Sequence, residues 1–189
     1  MRAVHDSTDD LTEPESDFDL VRLAAEGDRS ALAAIIERHQ HLVLGIAYRY
    51  LQDRSLAEDV AQDVFLSLWK AASRYRPDKP LPAYLRTLTV NQCLDIRRKR
   101  RPEALVQEFE KARQPDSSAL LVSRERRRLL AEGMAQLPPA QKMAVVLFHL
   151  QGLTVRETAQ AMQSTTKAVE SLLSRARASL RKLLSPYLQ

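Results

Sequence analysis

Thr165, Thr166, Lys167, Glu170, Ser171, Ser174, Arg175 and Arg177 are the residues whose types and spacing point most directly to chemistry. They oppose an apolar series, Ala168, Val169, Leu172, Leu173, Ala176, Leu180, Leu183 and Leu184, on what reads as one helix capped by Thr165. The exposed groups can donate to and accept from base edges in a DNA major groove, where each base pair shows its own pattern. Arg175, Arg177, Arg181 and Lys182 suit phosphate neutralisation, which is salt-dependent and blind to sequence. The chemistry expected is therefore recognition rather than bond breaking. His39 and His41 stand two apart and so point to different helix faces. His5, His149 and Cys93 are isolated, and there is no metal-ligand cluster, Gly-rich phosphate loop or nucleophile motif. No enzyme, cofactor or metal is expected.

Recognition by that helix needs a partner to set its angle. Thr154 and Glu157 form a capping box that opens a short helix with Val155, Ala159 and Met162 on its inner face. Gln163 and Ser164 then make a brief turn, so the pair fits a helix-turn-helix. An ordinary helical hairpin is the alternative, and the basic, hydrogen-bonding outer face argues against it. Upstream, Leu120, Leu130, Met134 and Leu137 predict a helix that stops before Pro138-Pro139. Pro139 opens the next, with Met143, Val146, Leu147 and Leu150 running to Gly152.

The first half reads as a second set of helices. Residues 1–17 carry six acids against Arg2 alone and no apolar period, which predicts a disordered acidic leader. Leu20, Leu23 and Ala24 predict a short helix ending at Gly27, with Asp28 capping a long one whose stripe runs from Leu32 to Tyr50 through His39. Ser55 and Glu58 suggest a further capping box. Behind it Ala57, Val60, Ala61, Val64, Phe65 and Leu68 face inward, leaving Glu58, Asp59, Gln62, Asp63 and Leu66 outward. Three prolines within Pro77 to Pro82 predict a stiff loop, followed by a helix from about Ala83 into the basic run Arg97 to Arg101.

Residues 102–118 read as a flexible interdomain linker. The expected architecture is all-α: two small helical domains, 18–101 and 119–189. The net charge of +5 is unevenly spread, and its two basic clusters suggest a polyanionic partner touched twice. A single cysteine excludes an internal disulfide and fits a cytoplasmic chain. No signal peptide and no apolar stretch of spanning length is present, so direct membrane insertion is not expected.

Three stretches together resemble the extracytoplasmic-function sigma factors of RNA polymerase: Ala57 to Trp69, Asn91 to Arg101, and Leu137-Pro138-Pro139 through Leu184. The resemblance implies a sigma region 2 helical bundle and a sigma region 4 helix-turn-helix, in a protein that binds core polymerase and directs promoter-specific initiation. It implies that Asp59, Gln62, Asp63 and Leu66 dock on the clamp helices of the largest polymerase subunit. Tyr75, Arg76, Asp78, Tyr84 and Asn91 are implied at the minus-ten DNA, with Arg97, Arg98, Arg100 and Arg101 along its backbone. The helix-turn-helix would read the minus-thirty-five element, and an anti-sigma factor is the implied inhibitor. Gln163 stands where many members have glycine, Tyr84 where Trp is common, and Thr87 and Thr89 replace a usual Arg and Ala. A helix-turn-helix regulator that never joins the polymerase is the alternative, and the acidic helix is what separates the two.

Overall fold

The computed structural model describes residues 16–76, 80–99 and 128–185, and these contain helices and no β-strand. The leader up to residue 15, the linker at 102–118, Leu120, Asp78, Arg100 and Arg101 lie outside the described residues.

Helix α1, Asp17–Ala25, is capped by Ser16, whose hydroxyl accepts from the Asp19 amide at 3.2 Å. Asp17, assigned to the leader on its charge, is thus the first helical residue. The cause is tertiary. Its carboxylate meets Nε2 of His39 at 3.0 Å and accepts from the Arg38 guanidinium at 2.8 Å, both on the next helix. Partial burial opposes its ionisation, but the hydrogen bonds from His39 and Arg38 outweigh that and hold the carboxyl below its ordinary value.

Asp28 caps α2, Arg29–Leu51, by accepting from the Ser30 and Ala31 amides. The helix buries Ala31, Ile35, His39, Val43, Ile46, Ala47 and Tyr50 along one side. The cap of α3, Arg54–Ala71, is Asp53 rather than Ser55: its carboxylate accepts from the Leu56 amide at 2.9 Å, while Glu58 is drawn to Arg54 at 2.8 Å. An anion two residues earlier suits the positive helix end better than the neutral hydroxyl, which displaces the expected Ser55–Glu58 box.

A 3₁₀ turn, Ala72–Arg74, closes α3. Helix α4, Leu81–Lys99, starts at Leu81 rather than near Ala83. Pro82 is accommodated because a first-turn residue needs no intrahelical donor. Helices α1 to α4 pack into a bundle in which α2 touches each of the others.

The second domain contains α5 (128–135), α6 (Pro139–Val145) running into a π-helical turn (Val146–Leu150), α7 (Val155–Ala161) and α8 (Thr166–Leu184). Met143, Val146 and Leu147 are buried as expected, but Leu150 is 43% and Leu130 44% exposed. The π turn takes more residues per revolution than an α turn, which carries Leu150 off the buried line. Cys93 lies buried in α4, where the surrounding apolar groups push its thiol up to about 12.

Candidate nucleic-acid interface

Helices α7 and α8 form the helix-turn-helix, and local chemistry sets its geometry. The Thr154–Glu157 box is complete: the Thr154 hydroxyl accepts from the Glu157 amide at 3.2 Å and the Glu157 carboxylate accepts from the Thr154 amide at 2.9 Å. The Thr154 amide first, and second the Thr154 hydroxyl, which donates to the same carboxylate at 2.7 Å, lower the Glu157 pKa. Helix α7 then ends over Gln163, held at φ 49. There the Ser164 amide donates to Ala159 O at 2.8 Å and the Gln163 amide to Gln160 O at 3.1 Å, satisfying carbonyls that the helix end leaves open. Thr165 caps α8 through the Ala168 amide at 3.1 Å.

Val169, Leu173 and Ala176 anchor α8 to the core. That fixes its rotation, so Thr165, Thr166, Lys167, Glu170, Ser171, Ser174, Arg175 and Arg177 are all exposed. The first turns of α8 carry the hydrogen-bonding groups and its later turns the guanidinium groups, as a helix entering a major groove between two phosphate walls requires.

In the first domain α3 presents Asp59, Gln62, Asp63 and Leu66 to solvent. Glu58 is tied to Arg54, whereas neither Asp59 nor Asp63 is in an ion pair among the described residues. Beside this ridge an open groove of about 320 Å³ runs between α2 and α3. Leu32, Ile36, Leu44, Ala61 and Phe65 line it, and it shares Gln62 and Leu66 with the ridge. The sequence alone does not reveal the groove, because its period sets Leu32 and Ile36 on the inward stripe of α2, whereas they sit half-buried at the edge of the core.

Tyr75 and Tyr84 come together edge to face, with centroids 5.5 Å apart. Steps of seven residues keep Tyr84, Asn91 and Arg98 on one line along α4. Asn91, Arg98 and Arg76 are exposed, and Arg98 is paired with Asp95. Arg97 is rotated about 100° from that line and instead donates to the Ala135 carbonyl of α5 at 3.3 Å. Thr89 is fully buried and bonded to Leu85 O at 2.7 Å, so it faces the core rather than a ligand. No group of His, Cys, Asp or Glu suited to a metal occurs among the described residues, and no helix there is long and apolar enough to cross a membrane.

These features define a two-domain helical protein with a helix-turn-helix in its second domain and an exposed acidic ridge along α3 in its first. Residues 35–103 match Sigma-70 region 2 and residues 127–180 match Sigma-70, region 4. The chain is 29% identical to the RNA polymerase sigma-H factor of Pseudomonas aeruginosa, across 93% of this chain and 97% of that one. It is 30% identical to the ECF RNA polymerase sigma factor SigM of Mycobacterium tuberculosis, across 89% and 85%. Its fold is similar to that of CnrH in complex with the cytosolic domain of CnrY, with TM-score 0.66, 26% identity, and 91% and 99% of the two chains covered.

The chain belongs to the extracytoplasmic-function sigma factors of RNA polymerase. As such it is a polymerase-binding protein that directs transcription initiation, and the reading as a regulator outside the polymerase is not favoured. Sigma factors as a class are not enzymes.

Proposed function

We propose that the chain holds core polymerase through the α3 ridge and grips the promoter at two places, once with each domain. The observation that carries this is the unpaired acidic edge, Asp59 and Asp63, lying beside an apolar groove. Charges at such an edge orient a basic helical partner and speed its capture, while Leu66 and the groove supply the apolar contact. The partner fitting this face is the clamp-helix pair of the largest polymerase subunit.

The Tyr75–Tyr84 pair and the Asn91–Arg98 line suit the minus-ten element. Holding a base out of the stack costs a few kcal/mol, and stacking on aromatics returns about 1–3 kcal/mol per base. Arg76 and Arg98 reach solvent on the same helix or its approach and suit phosphate contacts. Asp78, Arg100 and Arg101 keep the role that the family resemblance implies. Arg97 fits less well, because it is engaged with α5. Helix α8 reads the minus-thirty-five element. The chain acts in the cytoplasm, catalyses no reaction of its own, and is restrained by an anti-sigma factor; the similar CnrH is in complex with the cytosolic domain of CnrY.

Asp63→Arg tests the docking surface. Affinity for core polymerase should fall by about tenfold or more, as reversal of a complementary interface charge does. Binding of the variant to a minus-thirty-five duplex should be unchanged. Equal retention of both proteins on immobilised core enzyme would remove the ridge from the interface.

A further inference from the structure

Helix α8 carries five cations, Lys167, Arg175, Arg177, Arg181 and Lys182, and a single acid, Glu170. The acid is exposed among them, on a surface that suits a polyanion. Phosphates attract its cationic neighbours and repel its carboxylate, so in sequence-independent binding Glu170 only weakens the grip.

The stability of α8 does not account for it. Glu170 is the fifth residue of the helix, past the first turn, where the positive helix end favours an acid. Its carboxylate is in no ion pair or side-chain hydrogen bond among the described residues. Lys167, three residues earlier, is in no ion pair there either, and lysine ahead of glutamate is the poorer order for a helical pair. Arg175 is turned back on its own helix, with Nε donating to the Ser171 carbonyl at 3.3 Å. With Val169, Leu173 and Ala176 fixed in the core, Lys167 and Glu170 stand about 60° apart around the axis and ~4.5 Å apart along it. Two opposite charges thus face solvent side by side, each with its hydrogen-bonding capacity open.

Few groups in a major groove can satisfy a carboxylate. Guanine and thymine present acceptors, and only cytosine and adenine present an amino donor. Beside the adenine amino group lies the N7 acceptor, which repels the second carboxylate oxygen. The cytosine amino group has a C–H edge on that side, so it is the better match. An ammonium has the opposite need, and O6 and N7 of guanine meet it.

We propose that Glu170 selects a cytosine in the minus-thirty-five element by accepting from its N4 amino group, while Lys167 donates to a guanine of the same or the adjacent base pair. This rests on the reading that α8 enters the groove at that element. The ~4.5 Å offset of the two residues is close to the ~3.4 Å rise of one base pair, so both contacts fit one pair or two neighbours. The carboxylate also acts against wrong sites. Opposite guanine, thymine or a phosphate it meets only acceptors, and an acid stripped of water and left unpaired penalises that complex.

The test uses the full chain assembled with core polymerase. A promoter selected from genomic fragments with the wild type is randomised across its minus-thirty-five region, and the transcribed templates are sequenced. Wild type should favour cytosine at one position by about 5- to 100-fold, the range of one well-placed base contact. Glu170→Ala should flatten that position, leave the others, and raise transcription from templates that the wild type rejects. Glu170→Gln, whose amide matches N6 and N7 of adenine, should move the preference there from cytosine to adenine. Lys167→Ala should relax the same pair or its neighbour.

A wild type that prefers other bases but no cytosine, or Glu170 variants that keep the wild-type pattern at every position, would overturn the role of Glu170 and leave α8 as a DNA reader. An equal loss at all positions, with a lower melting temperature by circular dichroism, would make Glu170 a structural residue instead. A wild type indifferent to every position in the region would remove base reading from α8 altogether, and the proposal with it.

Discussion

Gln163→Gly should stabilise the protein, although it removes a side chain. This residue ends α7 at φ 49, with its own amide and that of Ser164 turned back onto Gln160 and Ala159. A side chain in the left-handed region costs about 1–2 kcal/mol. Glycine escapes that cost but loses about 0.5–1 kcal/mol more chain entropy on folding. The difference favours the variant by roughly 0.5–1 kcal/mol, which raises Tm by about 2–8 °C. Thermal melts followed by circular dichroism measure it. Gln163→Ala is the control, because alanine keeps the Cβ that causes the strain and should gain nothing. Affinity for a minus-thirty-five duplex should stay the same in the glycine variant, since the turn is already held by backbone bonds. An alanine variant as stable as the glycine one, or a glycine variant that melts earlier than wild type, would refute the argument from backbone conformation.

Two further outcomes follow from α8 and from α1. Lys167→Ala should change which minus-thirty-five sequences are preferred, whereas Arg181→Ala should weaken all of them alike and flatten the salt dependence; binding titrations at several salt concentrations on two duplexes separate the two effects. Asp17 has a carboxyl held below its ordinary value in the folded chain, so its stabilisation is present above that ordinary value and is lost as pH falls through the lowered one. The stability gap between wild type and Asp17→Asn, read by urea unfolding, should therefore be widest near neutral pH and close in acid. A gap independent of pH would show that the Asp17 tie to His39 and Arg38 does not depend on charge.

The sequence was most readable where one helix alone decides the answer. Along α3 each inward and outward residue from Ala57 to Leu68 falls where its period predicts, and Asp28, Thr154 and Thr165 cap as their side chains suggest. Competition between near-equal local choices was harder to read, as with Asp53 against Ser55. Contacts between distant segments left no periodic trace at all. Nothing in the run Arg97 to Arg101 distinguishes Arg97, yet the helical rotation turns it toward α5 and leaves Arg98 in line with Tyr84 and Asn91. Lys142 likewise carries no sign of burial in its local sequence, yet it is buried, with its ammonium 5.4 Å from the ring centroid of Tyr50, on a helix about ninety positions earlier.

Cys93 has a different kind of consequence. Thiol chemistry requires both access and a thiolate, and this sulfur has neither: it is enclosed by α4 and its neighbours, and burial raises its pKa to about 12. Peroxide, heavy metals and alkylating reagents therefore find no foothold on the folded protein at that position. With Cys93 the one cysteine in the sequence, a thiol-based oxidative signal intended for this chain has to be received by another molecule and delivered as a change in who holds it.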